Sequence, residues 1–144
     1  MEVTVNKLRA VMDTNVLVAA FRSRVGASFE IFKRLTRDEW SVVLSNHLIY
    51  EYEEVLKREA IVLALSLEDI DQILNALSAR GEEWPLTHNW EPILPDPDDE
   101  PLVQLAQESD ARIIVTHNTS HLRPALKLGI QVLKPVDFLI RLRA

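Results

Sequence analysis

The sequence contains no cysteine. That excludes disulfides, thiolate zinc sites and cysteine nucleophiles, and it fits a reducing, cytoplasmic setting. Only three glycines occur in 144 residues. There is no glycine-rich phosphate loop and no Gly-x-Ser-x-Gly elbow, so nucleotide cradling by a P-loop and serine hydrolysis of that type find no support. No apolar run approaches the roughly 20 residues of a membrane span. Met1 to Lys7 is too polar for a secretory leader. Basic residues are missing from one whole stretch: Gly81 to Ala111 holds nine acids and no lysine or arginine. The rest of the chain holds 13 acids against 16 bases, although the whole carries a net charge of −6. A polyanionic partner is therefore compatible with the acidic total, but a broad, uniformly basic surface is not.

What is present suits one soluble domain spanning residues 1–144. The hydrophobic fraction is 47%, ordinary for a globular chain. A chain of this length buries roughly 68–70% of the surface its unfolded form exposes. Strand-like and helix-like segments alternate. Leu8 to Met12 is a short strand ended by Asp13. Phe29, Phe32 and Leu35 recur at helical spacing within Val25 to Leu35. Ser41 to Leu44 is a buried-strand candidate. Ser45 or Asn46 caps a helix running to about Glu59. Ser66 and Asp69 form a capping box for a further helix that Gly81 ends. Glu82 to Pro97 is irregular, with a short strand expected near Trp84 to Thr87. Pro101 suits the first turn of a helix reaching about Ser109. Arg112 to Thr116 is the clearest strand. A short helix near Leu122 to Leu128, a strand at Gln131 to Leu133 and a terminal helix over Val136 to Leu142 complete the order. Strands separated by helices imply a parallel sheet covered on both faces.

Open parallel sheets place ligands beyond the carboxyl ends of their strands. Asp13, followed by Thr14 and Asn15, stands at such an end. Locally it reads either as a ligand or as a helix cap or turn residue. Glu51 flanks the apolar face of its helix on one side, as Glu53 does on the other, and a solvated glutamate is the default reading of each. Asp96, Asp98, Asp99 and Glu100 precede a helix. Clustered carboxylates repel, and a cation relieves that cost. Equally, acids complement a helix N-terminus. Asn118 follows the strand ending at Thr116 and offers an amide oxygen but no charge. His117 and His121 lack the intervening glutamate of a zinc protease motif and read as isolated loop histidines.

Taken in order, these segments resemble a known family, the PIN domains, across nearly the whole chain. Val11-Met12-Asp13-Thr14-Asn15-Val16-Leu17 is similar to the family's opening motif. Ser45 through Leu56, with Glu51 before Val55-Leu56, is similar to its second. Asp96-Pro97-Asp98-Asp99, with Leu102 and Ala106, is similar to its third. Ile114-Val115-Thr116-His117-Asn118, followed by Leu122, is similar to its fourth. The wording resembles that of single-domain, VapC-like toxin components of toxin–antitoxin pairs. The resemblance implies a three-layer α/β/α sandwich with a central parallel sheet and a metal-dependent endoribonuclease. It assigns Asp13, Glu51 and Asp99 to catalysis and to one Mg²⁺ or Mn²⁺, with Asn118 completing the metal's shell. Asp96, Asn15 and Thr116 are outer-shell candidates. It favours Glu51 over Glu53.

One departure stands out: many relatives carry aspartate where Asn118 stands, and often another where Ser120 stands. The lost charge weakens a second metal site most, and it motivates an alternative, a degenerate PIN fold that acts by binding a protein or RNA. A phosphatase using the same carboxylates is a third reading. Arg22 and Arg24, following the first strand, are the expected phosphate contacts for RNA. Lys33, Arg34 and Arg37 read as a solvated helix face. The resemblance also implies an antitoxin partner and a homodimer, for which the leucine-rich Ala60 to Leu77 segment offers apolar surface, unless those leucines are core.

Overall fold

The computed structural model describes residues 7–144; all but the last residue of the polar Met1 to Lys7 segment lies outside them. Five parallel strands form one sheet: β1 (Leu8–Met12), β2 (Trp40–Leu44), β3 (Gly81–Glu83), β4 (Ile113–Val115) and β5 (Gln131–Leu133). Their order is β3-β2-β1-β4-β5. The helices are α1 (Thr14–Arg22), α2 (Ala27–Thr36), α3 (Asn46–Arg58), α4 (Ala60–Leu63), α5 (Leu67–Arg80), α6 (Glu100–Glu108) and α7 (Pro135–Arg143). Two 3₁₀ segments join them, Pro97–Asp99 and Thr119–Leu128. This is the expected α/β sandwich with its parallel sheet.

The sheet forms where the sequence offers short apolar runs. Ala10, Val11 and Met12 of β1 and Val42, Val43 and Leu44 of β2 are all fully buried, as strands covered on both faces must be. Crossovers between parallel strands are right-handed. Growth from β1 through β2 to β3, followed by a jump back to β4, therefore puts α6 on the face opposite the earlier crossover helices. Helix α7 returns against α2 and brings Phe138 edge-on to Trp40, 5.1 Å between ring centroids. Among the described residues no helix is long and apolar enough to cross a membrane.

The sequence suggests no element between Asp13 and Val25, yet α1 begins at Thr14, and Asp13 occupies the N-cap position without making a side-chain cap bond. Its apolar residues are too dense to show a period, since Val16, Leu17, Val18, Ala20 and Phe21 are all buried. The third strand is Gly81–Glu83, not Trp84 to Thr87. Gly81 does more than end α5. A Cβ there would lie 2.6 Å from Leu44 Cδ1 and 2.7 Å from the Leu77 carbonyl oxygen. Only glycine lets the chain pass from α5 straight into the ladder beside β2, and the acidic pair that follows carries no strand signal. The segment around Leu122 to Leu128 is 3₁₀ rather than α-helical, with Pro124 inside it. Finally, the Ala60 to Leu77 stretch is broken by α4 and by Ala64 in the left-handed region, φ 54°. Leu63, Leu65, Ile70, Ile73 and Leu77 are core, whereas Ile61, Val62 and Leu67 are exposed.

Candidate active site

The strand order reverses at β1: its two neighbours, β2 and β4, follow it by very different lengths of chain. Such a switch point opens a crevice at the carboxyl ends of the strands. Asp13 ends β1 there, and Thr116 ends β4. The Asp13 N–H donates to the Val115 carbonyl at 2.9 Å, continuing the ladder past the strand. The Thr116 hydroxyl donates to Asp13 Oδ2 at 2.7 Å, and Asn15 Nδ2 reaches the same oxygen at 3.3 Å. Thr116 Oγ1 also accepts from the Asn118 N–H at 3.0 Å. Asn15 Oδ1 accepts from the His117 N–H at 3.3 Å. Two of the three residues expected in the outer shell, Asn15 and Thr116, thus fix the orientation of the Asp13 carboxylate.

Helix α3 supplies the second carboxylate. Ser45 caps it, accepting from the Leu48 N–H at 3.1 Å. Leu48, Tyr52 and Leu56 form its buried stripe, and this turns Glu51 toward the crevice, where its carboxylate accepts from the Thr14 hydroxyl. Glu53 instead pairs with Lys57 at 3.1 Å in solvent. One residue on, the wholly buried Tyr52 hydroxyl donates to the Met12 carbonyl, the group just before Asp13. Burial pushes the Tyr52 phenol well above its ordinary pKa, and the nearby Asp13 and Glu51 charges push it further. Tyr52 therefore stays protonated and pins α3 to the end of β1. Tyr52→Phe removes that donor and leaves the buried Met12 carbonyl unpaired. The expected loss is about 1–3 kcal/mol of stability, measured by urea unfolding; a midpoint equal to the wild type's would refute the tie.

The third carboxylate, Asp99, closes the Pro97–Asp99 turn at the start of α6. Asp13, Glu51, Asp98 and Asp99 line one cleft together with Ser45, His47, Leu48, Pro101 and Leu102. The cavity is about 30 Å³, room for about two waters or one small ion. Burial raises the Asp13 pKa; the Thr116 hydroxyl opposes this, while the Glu51 and Asp99 charges add to it. Burial also raises Asp99. Repulsion from Asp96, Asp98 and Glu51 reinforces that shift, and His121 opposes it. The three carboxylates expected from the sequence therefore share one electrostatic field.

The remaining expectations fare differently. Asp96 does not line this cleft. Its Oδ1 caps the following turn, accepting from the Asp98 N–H at 2.9 Å, and its neighbours are Pro95, Pro97, Asp99 and His121 around an adjoining cavity. Asn118 is tied to the site through its backbone, and its side chain is not part of the cleft lining. Arg22 and Arg24 are not brought to the crevice. They lie at and just beyond the C-terminal end of α1, about 12 Å of helix rise from Thr14. Arg24 lies over the Phe21 ring, 5.9 Å from its centroid, and faces α5 beside Asp69 and Gln72. A helix that starts at the site carries its last turn away from it, and α1 was missing from the sequence reading. Lys33 and Arg34 are taken up by Glu30, and Arg34 also by Glu39. His47 also lines the cleft, and its only sequence signal is its place in the first turn after the Ser45 cap.

The all-oxygen donor set suits a hard divalent cation, which prefers such ligands and keeps several waters. Burial first, and then repulsion from Glu51 and Asp99, disfavours the Asp13 charge, and a cation would relieve that cost. Among the described residues no three His, Asp or Glu side chains are gathered closely enough to hold a metal directly. The fit is therefore to a cation bridged partly through its own waters.

The sequence pattern that defines the PIN domain matches residues 9–120. The match takes in most of the chain, from β1 past β4 into the start of the Thr119–Leu128 segment, and the chain belongs to the PIN domain family. PIN domains are nuclease-type hydrolases and usually use divalent metal ions. A comparison with curated proteins finds no match.

Proposed function

We propose that this PIN domain is a metal-dependent endoribonuclease that hydrolyses phosphodiester bonds in single-stranded or looped RNA. The observation that carries the reading is the convergence of Asp13, Glu51 and Asp99, from three separate elements, at the sheet's switch point. A bound Mg²⁺ or Mn²⁺ would supply Lewis acidity and an activated water. The chain's own groups do the rest. Asp13 is the central ligand, aimed by Thr116 and Asn15. Glu51, held by Thr14, and Asp99 complete the carboxylate set of the cleft. No lysine or arginine lines this cleft, so the cation must itself reverse the field that repels RNA.

Within this reading the chain is the toxin of a toxin–antitoxin pair, acting in the cytoplasm as a homodimer. The exposed Ile61 and Val62 of α4 and Leu67 at the start of α5 are apolar surface of the kind a protein partner covers. The test is cleavage of labelled single-stranded RNA and DNA of one sequence, with Mn²⁺ or with excess chelator. RNA cleavage that chelation abolishes is the expected result; no cleavage with Mn²⁺, or cleavage that survives chelation, overturns the proposal. Asn118 favours one other reading, a binding protein without turnover, because it leaves the site a charge lighter. RNA retention without cleavage in the wild type, with cleavage gained in Asn118→Asp, would establish that reading instead.

A further inference from the structure

Glu100 is the one acid of the Asp96–Glu100 run that points inward, and it is 7% exposed. Its Oε1 accepts from the backbone N–H groups of Ile93 at 2.7 Å and Leu94 at 2.5 Å. Its Oε2 accepts from the Trp90 indole at 2.8 Å. A buried carboxylate is costly unless fully paired, and each charge-assisted bond of this kind is worth more than a neutral one. Here one carboxylate takes donors from three residues of an irregular segment that has no ladder of its own. The segment is fastened to the other end of α6 as well. Glu108 accepts from the Thr87 N–H at 3.0 Å and from the Thr87 hydroxyl at 2.6 Å, and Gln104 Nε2 donates to the Thr87 carbonyl at 2.8 Å.

The placement matters because of what lies between the fastened points. Leu94 and Glu100 bracket Pro95 to Asp99, the turn that carries Asp99 to the cleft. Inside it, the Asp98 N–H binds Asp96 Oδ1 and the Asp99 N–H binds the Asp96 carbonyl, at 2.9 and 3.1 Å. Those bonds shape the turn but do not attach it to anything. Glu100 does, by holding the strand of chain that enters the turn against the helix that leaves it.

We infer that Glu100 is the positioning residue for Asp99: its buried carboxylate locks the acidic turn in the one arrangement that lets Asp99 share a cation with Asp13 and Glu51. This rests on the metal-dependent reading above. It makes Glu100 a part of the site that never touches the cation.

Glu100→Gln isolates the effect. The glutamine keeps one oxygen for Ile93 and Leu94 but turns an NH₂ toward the Trp90 N–H, so two donors oppose each other. Trp90→Phe in the same chain removes that conflict. Three measurements decide the matter: Mn²⁺ affinity by calorimetry, hydrogen exchange over residues 90–99, and circular dichroism to confirm folding. Folded Glu100→Gln is expected to bind Mn²⁺ at least about 10-fold more weakly, in line with the loss of other orienting partners behind a metal ligand. It should exchange faster over the turn, and the Glu100→Gln/Trp90→Phe double variant should recover much of both. A folded Glu100→Gln protein with wild-type affinity and wild-type exchange overturns the inference, as does a double variant no better than the single one. If the wild type binds no Mn²⁺, the metal reading fails. Glu100 is then judged on exchange alone: unchanged protection over residues 95–99 in the variant refutes the lock itself.

Discussion

If the chain is the proposed endoribonuclease, Asp13→Asn is expected to lower RNA cleavage by at least about 100-fold while leaving the fold intact. The size follows from what a single ligand controls. A divalent ion contributes several kcal/mol to a phosphoryl transition state, and each 1.36 kcal/mol is tenfold in rate. Asp13 is the carboxylate on which the Glu51 and Asp99 fields converge, so removing its charge takes away one of the three that would attract the ion. Asparagine keeps the shape and an oxygen for the Thr116 hydroxyl, so the hydrogen bond at 2.7 Å has a counterpart in the variant. Single-turnover cleavage with saturating Mn²⁺ is the measurement, and a rate within threefold of wild type would remove Asp13 from the mechanism.

The second large effect is a reversal in thermal stability. Without metal, Asp13 is a buried carboxylate facing two others, and burial first, then those charges, raises its pKa in the folded chain. A folded chain that holds its proton more tightly than the unfolded chain loses stability as pH rises from about 3.9 through the folded value. Above that window the whole unfavourable contribution is present. Asp13→Asn has no such charge to bury. At pH 7 in chelator the variant should therefore melt above the wild type, and the gap should close as pH falls toward 4. Added Mn²⁺ should stabilise only the wild type, by roughly 2.7 kcal/mol at 100 times the dissociation constant. For a chain of this size that is about 5–10 °C. The two curves then cross. A wild type that melts higher in chelator, or Mn²⁺ shifts equal in both proteins, contradicts the account of the site.

The same physics separates what the sequence disclosed from what it did not. β1, β2 and β4 were legible because strands buried on both faces must be continuously apolar. The Ser66–Asp69 capping box was legible because two reciprocal bonds demand two residue types at one spacing, and both bonds are present, at 3.0 and 2.9 Å. Helix α1 was not legible, because a helix buried nearly all round has no polar face to mark its period. β3 was hidden because its place depends on how closely Gly81 can approach Leu44, a tertiary fact. The same division runs through the site. Asp13, Glu51 and Asp99 were marked by motif and by strand ends, and the structure draws them to one cleft. Arg22 and Arg24 were misplaced by the missing helix. Glu100 was seen only as one more acid before a helix, since nothing in its own neighbourhood announces that its partners lie six to ten residues back.

The bond between Thr116 and Asp13 joins residues 103 apart in the chain. The strands on either side of β1 are made at very different times during synthesis. When the first three strands have emerged, Asp13 and Glu51 exist but Asp99 and Thr116 do not. Any chain cut short before α6 has the wall of the cleft without its orienting hydroxyl or its third carboxylate. The centre is thus complete only when the last third of the polypeptide has folded back beside the first strand, so the topology itself delays assembly of the site until nearly the whole chain is made.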